Sequence, residues 1–397
     1  MMAVWENWGG NIKMKKLWVL FLLLFLPLPA FSAGNIHIKE LEIHPYLSVT
    51  EAYDDNVYAT ASNTKSDWIT TTTPGIKLVM PFKTHSFAAE YRASFLNYVD
   101  NTSENVTDQH AAALADLKFA SLIGLKLGDT YDKGHEPRAS SGSGELVKYD
   151  KNAAKGELSY EFADRFKAQM DYTRTNFDFS TAETQFRNRS EDLIAAYLYY
   201  RFMPKTSAFV EYDFKNVVFD EKTDGLDNQV QKPLLGVKWE ISELTKGIAK
   251  VGYLFKDFES KKTDNVDTWT ASLELDQVVT DRSSIKVVGL REVNEPNVEG
   301  TIYYITTGAF AEYTHKLADK LSGVVRGSYG KDEYTNAAGT TGAERNDNTF
   351  LGGVGLKYQM KDWLEFALDY NHLDRDSNIN QYDLNDNTTS LNVNFVL

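Results

Sequence analysis

Residues 364–371 read LEFALDYN and place an apolar side chain at every second position. The same alternation is present in residues 208–215, AFVEYDFK, and residues 269–276, WTASLELD. Successive side chains of a β-strand point to opposite faces, so each segment has one apolar face and one polar face. The pattern recurs along the chain and predicts an all-β protein, with about 18 strands between residues 41 and 397.

The connections between these segments fall into two classes. One class is short, as in residues 163–165, 280–282 and 318–320, and the other is longer and rich in Asn, Thr, Ser, Gly and Asp, as in residues 134–145 and 335–345. A soluble sandwich could also bury apolar strand faces between two sheets. Strict alternation of the two classes instead predicts a transmembrane antiparallel up-and-down β-barrel with short periplasmic turns and longer extracellular loops.

The N-terminus has the features of a secretory signal peptide. Lysines at positions 13, 15 and 16 precede an apolar run at 17–26, and small residues follow at Ala30, Ser32 and Ala33. The run is shorter than the roughly 20 residues that a helix needs to span a bilayer. We therefore interpret residues 1–33 as an N-terminal extension and signal peptide with Met14 as the expected start. Residues 34–40 are then expected to form a short periplasmic segment, and residues 41–397 are expected to form an outer-membrane barrel.

The amino-acid composition excludes several kinds of binding partner for the chain. Its 397 residues include no Cys and carry a net charge of −14, from 42 Lys and Arg against 56 Asp and Glu. The lack of Cys excludes a disulfide scaffold and a Cys-ligated metal site. The acidic balance argues against a nucleic-acid partner, which would require a basic surface. The partners expected from the barrel interpretation are outer-membrane lipid and lipopolysaccharide.

No motif for catalysis, for a cofactor or for a metal emerges from the sequence. The chain has no Gly-x-Ser-x-Gly elbow, phosphate loop or His-Glu-x-x-His. Asp374, Asp376 and Asn378 resemble the start of a calcium loop, but Ile379 stands where that loop requires Gly. We predict no catalytic, cofactor-binding or metal-binding residues. An outer-membrane hydrolase remains a third alternative, because a Ser/His/acid set could assemble in space.

Alternation also predicts which charged side chains line the lumen. The two signs nearly balance over all inward positions, which predicts weak ion selectivity and many cross-strand ion pairs. The candidate lumen-lining residues are Glu90, Arg92, Lys167, Asp171, Arg201, Glu211, Asp213, Lys238, Glu240, Glu274, Asp276, Arg326, Glu365 and Asp369.

The last strand alternates Leu391, Val393, Phe395 and Leu397 with Asn392, Asn394 and Val396. It resembles the C-terminal signal that the outer-membrane insertion machinery recognises, so we expect that machinery to be a partner. The strand departs from the usual signal because it ends on Leu397, with the aromatic residue two positions earlier.

Two N-terminal stretches carry a family resemblance. PYLSV at 45–49 leads to YDDNV at 53–57, and SDWI at 66–69 is followed by TPGI at 73–76. These stretches resemble the first two strands of the β-barrel porin 2 family of outer-membrane proteins. Members of that family often accompany exopolysaccharide or capsule synthesis, so the resemblance implies polysaccharide export, with export components as partners.

The main functional hypothesis is therefore an outer-membrane conduit that serves polysaccharide export. The alternative is a general diffusion porin, or a structural barrel that is plugged by its own loops. Porins commonly fold one long loop inward, and residues 134–145 form the only connection that we consider long enough for that role. The barrel size supports a conduit, because 16 to 18 strands leave an aqueous channel.

Overall fold

The alternating segments form strands, and each strand pairs antiparallel with the next one along the chain. The computed structural model describes residues 36–396 except 120–121, 141–143, 223–224, 243, 262 and 338–341. The predicted signal peptide lies outside the described residues. No helix in the described part of the chain is long and apolar enough to cross a membrane.

The described residues form nineteen strands, the first of them only three residues long. The first ten are β1 (Ile36–Ile38), β2 (Leu41–Asp54), β3 (Asp67–Phe82), β4 (His85–Tyr98), β5 (Val106–Phe119), β6 (Ile123–His135), β7 (Lys148–Phe162), β8 (Phe166–Phe179), β9 (Arg189–Met203) and β10 (Thr206–Phe219). The others are β11 (Asn228–Ser242), β12 (Thr245–Phe258), β13 (Val266–Thr280), β14 (Ser283–Asn294), β15 (Thr301–Ala318), β16 (Leu321–Asn336), β17 (Asn346–Lys361), β18 (Leu364–Ser377) and β19 (Leu384–Val396). Short 3-10 helices occupy Thr102–Glu104, Ala182–Arg187 and Asn380–Tyr382.

The sheet closes on itself because β19 pairs with β2. Thr388 lies opposite Asp54, and Val396 lies opposite Tyr46. Strands β2–β19 therefore form a closed barrel of 18 antiparallel strands, which confirms the predicted fold class. β1 folds back on the start of β2, with Ile36 opposite Ile43, so part of the expected periplasmic segment 34–40 is a strand. Closure satisfies the backbone hydrogen bonds at both edges of the sheet.

The two ends of the barrel differ as the sequence predicts. Short turns join β3 to β4, β7 to β8 and every later odd-numbered strand to the next one. The connections at the other end contain from 6 residues (295–300 and 378–383) to 12 residues (55–66 and 136–147). We call these the short-turn end and the long-loop end. In one short turn the backbone of Ala163 and Asp164 is left-handed, with φ of 48° and 58°. Positive φ at both positions matches the twist of the flanking strands.

The outer wall is apolar. Leu235, Val251 and Val325 point outward with 63%, 56% and 56% of their surface exposed. Near the long-loop end, outward tyrosine hydroxyls donate hydrogen bonds to polar side chains of the following strand, as Tyr212 does to Gln231 at 2.7 Å. Such aromatic residues with polar tips suit the membrane–water interface. Among the aromatic residues beside the short turns, Phe209 is different: it faces inward and is 3% exposed.

Candidate functional site: the lumen and its inward loops

The predicted lumen residues lie on the inner face of the sheet. Leu368 and Tyr370 point outward with exposures of 49% and 43%, so Asp369 between them points inward. The register of the paired strands extends this assignment to the other strands, because directly opposite residues share a face. It places every candidate inside: Glu90, Arg92, Lys167, Asp171, Arg201, Glu211, Asp213, Lys238, Glu240, Glu274, Asp276, Arg326, Glu365 and Asp369.

Six of these residues meet in one cavity at the short-turn end. Its volume is about 800 Å³, and its wall is built by β6–β13 and their turns. Seven Lys or Arg and five Asp or Glu line it. The candidates that it brings together are Lys167, Arg201, Lys238, Glu240, Glu274 and Asp276. The cavity is therefore polar, wide and only slightly basic.

Two ion pairs form among the charges of this cavity: Lys238 pairs with Glu240 at 3.2 Å, and Lys126 pairs with Glu157 at 3.0 Å. Lys167 has no carboxylate within ion-pair distance among the described residues, and its ammonium lies 5.6 Å from the ring centre of Tyr199. Arg201 donates a hydrogen bond of 2.7 Å to the backbone carbonyl of Asp164. Cationic groups are thus available to a charged solute in the cavity.

The other lumen candidates are held by neighbouring inward side chains, some on another strand and some two positions away on the same strand. Glu211 pairs with Lys250 at 3.1 Å, and Asp213 lies 3.5 Å from Lys232. Arg326 contacts Asp369. The remaining three contacts are Gln169 donating to Asp171 at 3.0 Å, Asn394 donating to Glu365 at 3.3 Å, and Arg92 donating to Glu90 at 3.1 Å. These pairings agree with a structural role for much of the inner charge.

Glu90 also accepts a hydrogen bond of 2.8 Å from the hydroxyl of Tyr46. The ring of Tyr46 lies directly over Gly75 on the neighbouring strand, where a Cβ atom would come within 2.2 Å of the ring. Only glycine leaves room for the aromatic ring there.

The described residues of the connection between β6 and β7, 136–140 and 144–147, fold across the long-loop end. Glu136 pairs with Arg187 from the β8–β9 connection at 2.6 Å. Arg375 on β18 donates to the carbonyl of Ala139, and Asn297 from the β14–β15 connection donates to the carbonyl of Ser140 at 3.2 Å. One loop therefore contacts segments that lie on opposite sides of the barrel. This is the loop predicted to fold inward.

The connection between β14 and β15, residues 295–300, also enters the barrel, which the sequence did not predict. Glu295 is 8% exposed, and Pro296 beside it is fully buried. The Glu295 carboxylate lies 2.8 Å from Lys256 and 3.2 Å from Lys215. It also accepts a hydrogen bond of 3.0 Å from Asn228. These three partners are on β10, β11 and β12.

Glu295 is ionised in this environment. Its burial acts to raise the pKa of the carboxyl, but the ammonium groups of Lys256 and Lys215 hold that pKa well below its ordinary value. A carboxylate with a lowered pKa contributes its stabilising interactions at any pH above its ordinary value near 4.5 and loses them only in stronger acid. The contact is therefore complete at neutral pH.

Apolar side chains fill the lumen around this contact. One cluster contains Val217, Phe219, Leu226 and Ile302. A second contains Val230, Leu254, Phe258, Val266 and Val293. Val217 and Phe219 are completely buried on the inner face of β10. The long-loop end therefore has a packed core, whereas the short-turn end keeps an open cavity.

Three carboxylates meet at the seam that closes the barrel. Asp54, Asp55 and Asp386 place one oxygen each within 4.8 Å of one another. Asp55 accepts hydrogen bonds of 2.8 Å from the backbone and the side chain of Asn387. Asp54 and Asp55 follow one another at the end of β2, whereas Asp386 lies on β19, so the three meet only because the barrel closes.

A closed apolar-walled barrel with a polar lumen and an inward loop defines the class of outer-membrane porin-like barrels. The chain belongs to the family described as "Putative beta-barrel porin 2", whose model matches residues 40–396. This confirms the resemblance found in the first two strands. Porins are not enzymes, and membership of the family favours a non-enzymatic role.

Solved structures of outer-membrane proteins are similar in fold. OccAB3 of Acinetobacter baumannii is 12% identical with a TM-score of 0.50, and the match covers 91% of this chain and 100% of that one. OpdL of Pseudomonas aeruginosa is 14% identical with a TM-score of 0.49, covering 91% and 99%. OprD of the same organism is 15% identical with a TM-score of 0.47, covering 92% and 97%. Identities this low indicate a shared fold alone. No curated protein matches the chain significantly.

Proposed function

We propose that this protein is a gated diffusion conduit for small hydrophilic solutes across the outer membrane. One observation carries the proposal: a polar cavity of about 800 Å³ occupies the short-turn end, while two inward loops occupy the long-loop end. Solutes would gather in the cavity and pass when the loops move. Its wall, with seven basic and five acidic residues, gives weak selectivity between small anions and cations.

The packing favours this alternative over polysaccharide export. The described part of the loop 136–147 reaches across the lumen, and Glu295 is held against β10, β11 and β12 of the wall. A polysaccharide that passes through the barrel would require both loops to stay out of the lumen throughout its transport. A small solute requires only a brief or partial opening. The hypothesis of polysaccharide export rests on the association of related proteins with polysaccharide synthesis. No contact within the described residues favours it.

The test is conductance in planar bilayers. Wild-type protein is expected to be mostly closed, with rare openings. Removal of residues 137–146 and their replacement by two glycines should give frequent, large and weakly selective channels, because the bridge across the lumen is lost. If channels stay shut in that variant and in one that also lacks residues 296–299, the conduit is wrong and the barrel is structural.

The orientation can be tested by labelling, since the chain has no native Cys. Thr263 lies at the long-loop end and Asp281 at the short-turn end. A single Cys at Thr263 should react on intact cells with a membrane-impermeant thiol reagent, and a Cys at Asp281 should react only after the outer membrane is permeabilised. The reverse result would place the long loops in the periplasm and invert the proposed direction of gating.

A further inference from the structure

The contact around Glu295 has the composition of a carboxylate-binding site. Lys256 is 1% exposed, and its ammonium lies 2.8 Å from the Glu295 carboxylate. Lys215 supplies a second ammonium at 3.2 Å, and the side-chain amide of Asn228, itself 1% exposed, donates from 3.0 Å. Two cations and a neutral donor thus converge on one anionic group from three adjacent strands. Charge-assisted hydrogen bonds of this kind are about twice as strong as neutral ones.

The charges around this site do not cancel without Glu295. Lys215 also lies 3.7 Å from Glu191, but Glu191 is shared with Arg189, which it contacts at 2.7 Å. Lys256 has no other carboxylate within ion-pair distance among the described residues. Removal of Glu295 would leave Lys256 buried and unpaired, a strongly unfavourable state for an ammonium group. An anion at this position therefore stabilises the wall in its present form.

We propose that Lys215, Lys256 and Asn228 form a carboxylate-binding site on the lumen wall, whose resident ligand is Glu295 of the chain itself. Occupation by Glu295 holds residues 295–300 inside the barrel, and Asn297 of the same segment then contacts Ser140 of the other inward loop. The contact of Glu295 with Lys215, Lys256 and Asn228 therefore holds both loops inside the barrel, and we call it the latch. This inference rests on the proposed function for its effect on conductance, but the binding chemistry is independent of it.

Chemical rescue tests the site. Glu295→Ala removes the Cγ methylene and the carboxylate and leaves a space that fits acetate. The open fraction in planar bilayers should rise on the order of tenfold or more, because the latch is lost. Millimolar acetate should restore closure, whereas acetamide, which has the same shape without the charge, should not. Glu295→Gln should open the channel and resist rescue, since the glutamine side chain fills the space.

Glu299→Ala is the matched control, because Glu299 lies in the same loop and is exposed. It should leave the open fraction unchanged. A second readout reports the loop directly: a Cys in place of Val298 should be slow to react with a small thiol reagent, fast in the Glu295→Ala background, and slow again with acetate. This readout does not depend on conduction.

The outcomes separate the two proposals. If Val298→Cys reactivity follows Glu295→Ala and acetate but no variant conducts, the carboxylate site stands and the conduit fails. If channels form but neither conductance nor reactivity responds to Glu295→Ala, the conduit stands and the latch is wrong. Equal rescue by acetamide would show that the site fills a space rather than binding a carboxylate, and would overturn the inference.

Discussion

Leu368→Arg is expected to prevent most of the protein from assembling into a folded barrel. Leu368 points outward from β18 with 49% of its surface exposed, so the substitution places a guanidinium in lipid. An Arg on the lipid face costs roughly 2–4 kcal/mol near the midplane. The measurement is the fraction of protein that migrates as a folded barrel in unheated gels, together with the urea midpoint of refolded protein.

Leu290→Arg is the matched control. Leu290 lies on the inner face of β14, opposite Ser272, and is 40% exposed to the lumen. The same change of side chain should therefore assemble normally, because the charge stays in water. Ala367, next to Leu368 on the inner face, would be a poor control, since it is only 5% exposed and an Arg there has no room. Equal loss of assembly in both Leu variants would mean that the inner and outer faces are wrongly assigned.

The face of each strand was predictable because alternation is local. Phe366, Leu368 and Tyr370 share a face whatever the rest of the chain does, so a short stretch fixes the inner position of Asp369. The same argument placed Lys167 and Glu274 inside, where the structure gathers them in the cavity at the short-turn end. Turn length is local too, and it distinguished the two ends of the barrel.

The inward fold of residues 295–300 was not predictable in the same way. Glu295 follows a strand in the sequence, as a charged loop residue commonly does, and its partners Lys215 and Lys256 lie 80 and 39 positions away. Only the closed barrel brings β10, β12 and this loop together. The available signal was subtle: Val217 and Phe219 continue the inner face of β10 with large apolar side chains, where a water-filled lumen would have polar ones.

Cross-linking the two inward loops is expected to hold the conduit shut. Asn297 donates to the carbonyl of Ser140 at 3.2 Å, so Cys at both positions can be joined by a short bis-methanethiosulfonate linker. The joined loops cannot separate, and the open fraction should fall on the order of tenfold or more relative to the unmodified pair, a shift of about 1.4 kcal/mol or greater. Planar-bilayer recordings before and after the reagent measure it, and a reducing agent should restore the openings.

Each single-Cys variant, treated with the same reagent, is the control. A single attachment adds a small group to one loop without joining it to the other, so the open fraction should remain close to that of untreated protein. A fall of similar size in a single variant would mean that bulk in the lumen, rather than the link, blocks the passage. If the doubly linked protein opens as often as before, the two loops move as one body. The conduit would then open where the linked loops contact the barrel wall, at Lys215 and Lys256, and not between Ser140 and Asn297.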